Sequence, residues 1–103
     1  MRWLLLAAGI VCVASSAFAE TQTVTQSGRK FTPNEVSIAV GDSVLFNNQD
    51  EFIHQVYVDS DKIDYDSAEQ RPGETKTIKF PKTGDFPVRC HIHPKMLLIV
   101  HVK

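Results

Sequence analysis

Cys90, His93 and Met96 stand three residues apart in the run Cys90-His91-Ile92-His93-Pro94-Lys95-Met96, so a thiol, an imidazole and a thioether share one short loop, with a further imidazole upstream at His54. Thiolate and imidazole suit copper and zinc, and a His2Cys set with a weak axial Met is the ligand signature of electron-transfer copper sites. Zinc could use His54, Cys90 and His93. It gains nothing from a thioether, however, and completes its tetrahedron with stronger donors. Met96 therefore argues for copper. A binuclear copper centre would need a second Cys near Cys90, and the multicopper oxidases need many more His than the four in this chain.

Each residue alone has an ordinary explanation: His54 as a polar core residue, Cys90 as a small buried hydrophobe, Met96 as a packing filler. It is their combination that points to a metal. His91 reads as a solvated loop residue with a second copper as the sharper alternative, and His101 as a surface or satisfied sheet residue outside the site. The acidic stretch Asp59, Asp61, Asp64, Asp66 and Glu69 resembles the start of a calcium loop. It places Ile63, Asp64 and Gln70 where that loop needs an oxygen ligand, Gly and Glu. It reads instead as a solvated loop, with docking to a basic redox partner as the narrower alternative.

The chain opens with Arg2, an apolar run from Trp3 to Val13, small residues and Ala17-Phe18-Ala19. This is the pattern of a secretory signal peptide cleaved after Ala19, too short before Ser15 and Ser16 for a membrane span. The mature domain, residues 20–103, then keeps Cys90 and loses Cys12. No internal disulfide is possible, and a lone exported thiol points to a metal or a reactive cysteine. The full chain carries a formal charge of −1, and loss of Arg2 makes it one unit more negative. That gives no case for nucleic acid or an anionic membrane.

Alternation is the dominant period. Val36, Ile38 and Val40 share one strand face, Val44 and Phe46 follow, and the pattern recurs in His54-Val56-Val58, Lys76-Ile78-Phe80 and Phe86-Val88-Cys90, before a last β-rich run from Leu97 to Val102. Turn chemistry separates the runs at Gly41-Asp42, Asn47 to Asp50, Arg71-Pro72-Gly73 and Pro81 to Gly84. Glu20 to Gly28 reads as a polar lead-in, part of it an edge strand, and Ser67 to Gln70 as a single helical turn. Short strands with regular turns predict a sandwich or barrel. Parity then puts Cys90 on the core face at one strand end and His54 at the start of another, so both project toward one pole.

These features together resemble the cupredoxins, the type 1 blue copper proteins, and among them the small plastocyanin- and amicyanin-like members. The resemblance runs from about Phe31 to Lys103. It rests on Phe31-Thr32-Pro33, Val40-Gly41-Asp42-Ser43-Val44, Phe46-Asn47-Asn48, Pro72-Gly73-Glu74, Gly84-Asp85-Phe86 and the Cys-x-x-His-x-x-Met loop. It implies an all-β Greek-key sandwich with one mononuclear copper at a pole, His54, Cys90 and His93 as strong equatorial ligands and Met96 as the long axial one. Gln55 stands where the family places Asn, so the side-chain link between the two ligand loops does not carry over. Arg89 before Cys90, His91 after it and Pro87 inside a strand are further departures.

The expected function is a periplasmic one-electron carrier, a monomer and not an enzyme. A redox protein would dock transiently near His93, against an apolar rim of Phe52, Ile53, Pro94 and Leu97. A periplasmic copper-sequestering protein for copper tolerance would use the same site, modestly favoured by His91. A zinc-stabilised structural module is the third reading.

Overall fold

The computed structural model describes residues 18–103; most of the predicted export segment, residues 1–17, lies outside them. Nine strands follow one another: β1 (Thr21–Ser27), β2 (Lys30–Thr32), β3 (Glu35–Ile38), β4 (Ser43–Asn48), β5 (Val56–Asp59), β6 (Asp64–Asp66), β7 (Thr75–Lys79), β8 (Gly84–Cys90) and β9 (Leu97–Val102). They form a sheet of order β2-β1-β4-β7 and a second of order β3-β9-β8-β5-β6. β1 runs parallel to β4 and β3 parallel to β9; the other pairings are antiparallel. The sandwich expected from the alternation is the fold observed.

Residues two apart point to the same face of a strand, and this parity builds the core. Val24, Val44, Phe46 and Ile78 come from the first sheet, and Val56, Val58, Phe86, Val88, Leu98 and Val100 from the second. Burying each of these side chains fully contributes roughly 1.5–3 kcal/mol against the ordering of the chain. Phe31 meets Phe46 edge to face at 5.8 Å between ring centroids. Pro87 is tolerated inside β8 because the β5 pairing has already ended at Tyr57↔Arg89.

Four expectations need correction. The lead-in is a strand but not an edge: β1 lies between β2 and β4, and its Val24 and Gln26 are fully buried. Ser67 to Gln70 is not helical. Ala68 has φ of 59°, Ser67 Oγ receives the Val56 amide, and Gln70 bridges His54. Part of the acidic stretch is the short edge strand β6. Val40 lies past the end of β3 and is exposed, because the chain has turned at Gly41-Asp42.

One end of the sandwich gathers the end of β1, the start of β2, the ends of β4 and β8 and the starts of β5 and β9. Buried amides fix the backbone there. Gln70 exchanges two backbone hydrogen bonds with His54, at 3.0 and 2.8 Å. Its side chain donates to the carbonyls of Phe46 and Glu74 and accepts from Gln26. Asn48 donates to the Phe52 and Gln70 carbonyls and accepts from the Asp50 amide. Gln70→Ala should therefore cost about 2–4 kcal/mol, combining a cavity with unpaired buried groups. Urea unfolding of the metal-free protein checks this; a loss within about 0.5 kcal/mol, the range of ordinary surface changes, would show that the network is dispensable.

Candidate metal centre

His54 and Cys90 reach the pole from opposite sides of one antiparallel pair. Val56 pairs with Cys90, and His54 lies two residues earlier on the same chain. Both are buried, at 0% and 1% exposure. A short turn after β8, closed by the Met96 amide donating to the His93 carbonyl at 3.0 Å, brings His93 back over them. Met96 ends that turn with its side chain buried.

His54 Nδ1 lies 3.2 Å from His93 Nδ1 and 3.6 Å from Cys90 Sγ, and His93 Nδ1 lies 3.9 Å from that sulfur. A single ion with bonds of about 2.0–2.3 Å to nitrogen and sulfur fits inside a triangle of this size. The hydrogen-bond logic points the same way. His54 Nε2 is 2.8 Å from the Asp50 carboxylate, whose side chain is only 7% exposed. Burial pushes the Asp50 pKa up, but the Arg29 amide, the His54 side chain and the Gly28 amide outweigh it and leave it below the ordinary value. An ionised carboxylate only accepts, so Nε2 carries the proton and the Nδ1 lone pair faces sulfur and the second imidazole.

Burial, the His54 ring and the Arg29 guanidinium together push His93 below the ordinary histidine range, against the opposing pull of Asp50. The shift favours the neutral imidazole, the form that coordinates a metal. Two imidazole lone pairs and a sulfur converging on one point call for a cation.

Gln55 donates its backbone amide to Cys90 Sγ at 3.3 Å, and the His91 amide donates to the Gln55 carbonyl at 3.0 Å. The two ligand loops are therefore tied by main chain, which does not depend on the side chain at position 55. That side chain turns outward to Asp66. His91 lies flat on Tyr57, centroids 3.7 Å apart, with Nε2 3.1 Å from Asp66. It points away from the cluster. His101 sits between Asp85 and Glu35 on the outer face of the second sheet, as a satisfied sheet residue. The sequence reading missed Asp50, Asn48 and Gln70; only the spacing of Asp50, four residues before His54, hinted at a role.

The model for copper-binding proteins of the plastocyanin/azurin family matches residues 19–103. The chain belongs to the plastocyanin/azurin family. Plastocyanin from Vicia faba is 30% identical over 80 residues, covering 67% of this chain and 81% of that protein. A copper-containing nitrite reductase from Thermus scotoductus SA-01 superposes with a TM-score of 0.72 at 30% identity, over 80% of this chain and 22% of that one. A reduced Cu(I) form of an amicyanin mutant superposes at 0.75 with 21% identity, over 81% and 82% of the two chains, a likeness of fold. Membership in this cupredoxin family brings copper as the cofactor and electron transfer as the function.

The Asp50 contacts generate a prediction. Asp50→Asn keeps the shape but removes a negative charge and an acceptor for the Arg29 and Gly28 amides. The copper potential should rise, since the carboxylate stabilises the more positive oxidation state. Copper affinity should fall about 10- to 100-fold. Voltammetry and competitive chelation measure both, and an unchanged potential with unchanged affinity would refute the role given to Asp50.

Proposed function

We propose that the protein is an exported, periplasmic one-electron carrier holding a single copper by His54, Cys90 and His93, with Met96 as the weak axial donor, and that it is not an enzyme. The convergence of His54 Nδ1, Cys90 Sγ and His93 Nδ1 within 4.8 Å of one another carries this reading. Bound there, copper would supply a Cu(I)/Cu(II) couple. Every other part of the mechanism belongs to the chain. The Asp50 carboxylate and the Gln70 backbone hold His54, the Gln55 amide stabilises charge on the Cys90 sulfur, and these contacts do not involve the ion. His54 and Cys90 are therefore held by the protein itself.

His93 is the half-buried ligand, packed edge to face on Phe52 at 5.9 Å. It is the route by which an electron reaches a partner. Phe52, which packs on His93, and the exposed Ile53, Ile92 and Leu97, which adjoin His54, His93 and Met96 in sequence, would form the apolar rim. Ile92 joins the rim residues named from sequence. Catalysis would need a substrate site that a chain matching 22% of the nitrite reductase does not supply by likeness. Copper storage loses its particular support, because His91 is engaged by Tyr57 and Asp66.

Cleavage after Ala19 is compatible with the fold. β1 begins at Thr21, and the Glu20 nitrogen lies 2.9 Å from an Asp42 carboxylate oxygen. The cut would turn that amide into an ammonium facing a carboxylate. The Glu20 amide is also the foremost cause that lowers the Asp42 pKa.

The test is the exported, copper-loaded protein. Its intact mass should begin at Glu20 with one copper, and its oxidised form should show intense sulfur-to-copper charge transfer that Cys90→Ser abolishes. Met96→Leu should keep copper and colour and raise the potential, since loss of a weak axial donor favours Cu(I). A band surviving in Cys90→Ser, or copper binding unaffected by His54→Ala and His93→Ala, would overturn the assignment.

A further inference from the structure

Ser27 pairs with Lys30 across the β1–β2 hairpin, so its turn consists of Gly28 and Arg29, with φ of 62° and 55°. Positive φ at both central positions matches the twist of a tight hairpin. It is unusual for an arginine. Asp50 holds it there by accepting both turn amides, at 2.7 and 2.9 Å. The turn delivers the Arg29 guanidinium onto the Phe52 ring, 4.1 Å from its centroid, and Phe52 in turn packs on His93.

A groove runs beside that ring. Ile92, His93 and Pro94 contribute to it, with Arg29, Lys30 and Lys95 along its margin, and no carboxylate lines it. The Asp50 oxygens are spent on three donors inside the protein. Glu51 is exposed in the neighbouring loop but is not part of the groove. Among the described residues, four of the six exposed large hydrophobic residues, Phe52, Ile53, Ile92 and Leu97, belong to this pole. The acidic Asp59, Asp64 and Asp66 line a different depression, with Tyr57, Tyr65 and His91. An interface needs a desolvated apolar centre within a polar rim, and the pole offers one.

We infer that the electron-transfer partner is a redox protein whose docking face is apolar at its centre and carries carboxylates around it, seated against Arg29, Lys30 and Lys95 with His93 at the contact. This rests on reading the pole as the electron port, and it goes further by fixing the partner's charge. Complementary charges steer encounter and set orientation, and their effect falls with salt. The basic margin is built by a constrained turn and the loop that carries His93, and its Arg29 guanidinium is held on the Phe52 ring beside His93.

The test uses the copper-loaded protein and two redox probes, a cytochrome with a strongly acidic surface and one with a strongly basic surface, followed by stopped-flow at rising ionic strength. The variant combines Arg29→Asn, which tolerates positive φ, with Lys30→Gln and Lys95→Gln. The ratio of acidic-probe to basic-probe rates should fall about 10-fold or more at low ionic strength, and the difference should shrink with salt. Taking the ratio removes any common shift in driving force. Should the triple variant lose its visible band, Lys30→Gln and Lys95→Gln, both at exposed positions, carry the test. An unchanged ratio would overturn the inference. So would a rate with the basic probe that dominates and collapses in Asp59→Asn/Asp64→Asn, or light scattering that shows a dimer of the parent protein which that same double variant abolishes. Absence of any redox couple would instead sink the electron-carrier reading, and is told apart by the missing visible band.

Discussion

The Asp50 carboxylate holds the pole together by accepting from the Gly28 and Arg29 amides and from His54 Nε2. Its consequences spread in two directions. Inward, it fixes the His54 tautomer and turns the bare nitrogen toward Cys90 and His93. Outward, it stabilises a strained turn that places Arg29 over Phe52. One ionised group thus couples the geometry of the metal donors to the charge of the surface above them. It sits at such depth because its own oxygens are satisfied; a buried carboxylate without partners would be driven toward its neutral form.

Asp50 in turn depends on the loop that carries it, and that loop depends on buried amides rather than on apolar packing. Asn48 and Gln70 are fully buried and spend their hydrogen bonds on loop carbonyls and amides. Irregular backbone has no ladder to satisfy it, and water is excluded here, so side chains must supply the partners. The apolar sandwich below supplies stability, while this polar layer supplies positional accuracy.

The strands and the grouping of His54, Cys90 and His93 were legible in the sequence because both follow short-range rules. Period-2 alternation placed Val56, Val58, Phe86 and Val88 in the core, and the same parity sent Cys90 inward at the end of β8. Loop spacing brought His93 and Met96 to the same end. The short strands β2 and β6 were not legible, since three residues of mixed polarity carry no period. The interior position of β1 was obscured by its polar sequence, Gln26 included, because that glutamine is buried to bind Gln70 and not to pack as a hydrophobe. Asp50 escaped for the same reason: a turn aspartate looks alike whether it faces water or receives three donors. The Asn expected after His54 proved unnecessary, since the tie between the ligand loops is made by backbone groups that any residue at position 55 provides.

The two imidazoles at the pole are held in opposite ways, and the difference divides the work of the site. His54 is fully buried, clamped through its backbone by Gln70 and through its ring by Asp50. His93 lies on a short turn, half-buried, with its ring against Phe52 and His54. A carrier needs one ligand near enough to the surface to couple with a partner, yet every exposed ligand admits water and protons that compete for it. With His54 and Cys90 fully buried, His93 is the one of these three that meets the surface, where burial and the nearby Arg29 guanidinium disfavour its protonation. On the proposed reading, the apolar rim and basic margin around His93 would serve both needs, limiting access to the ligand while forming the face that a partner meets.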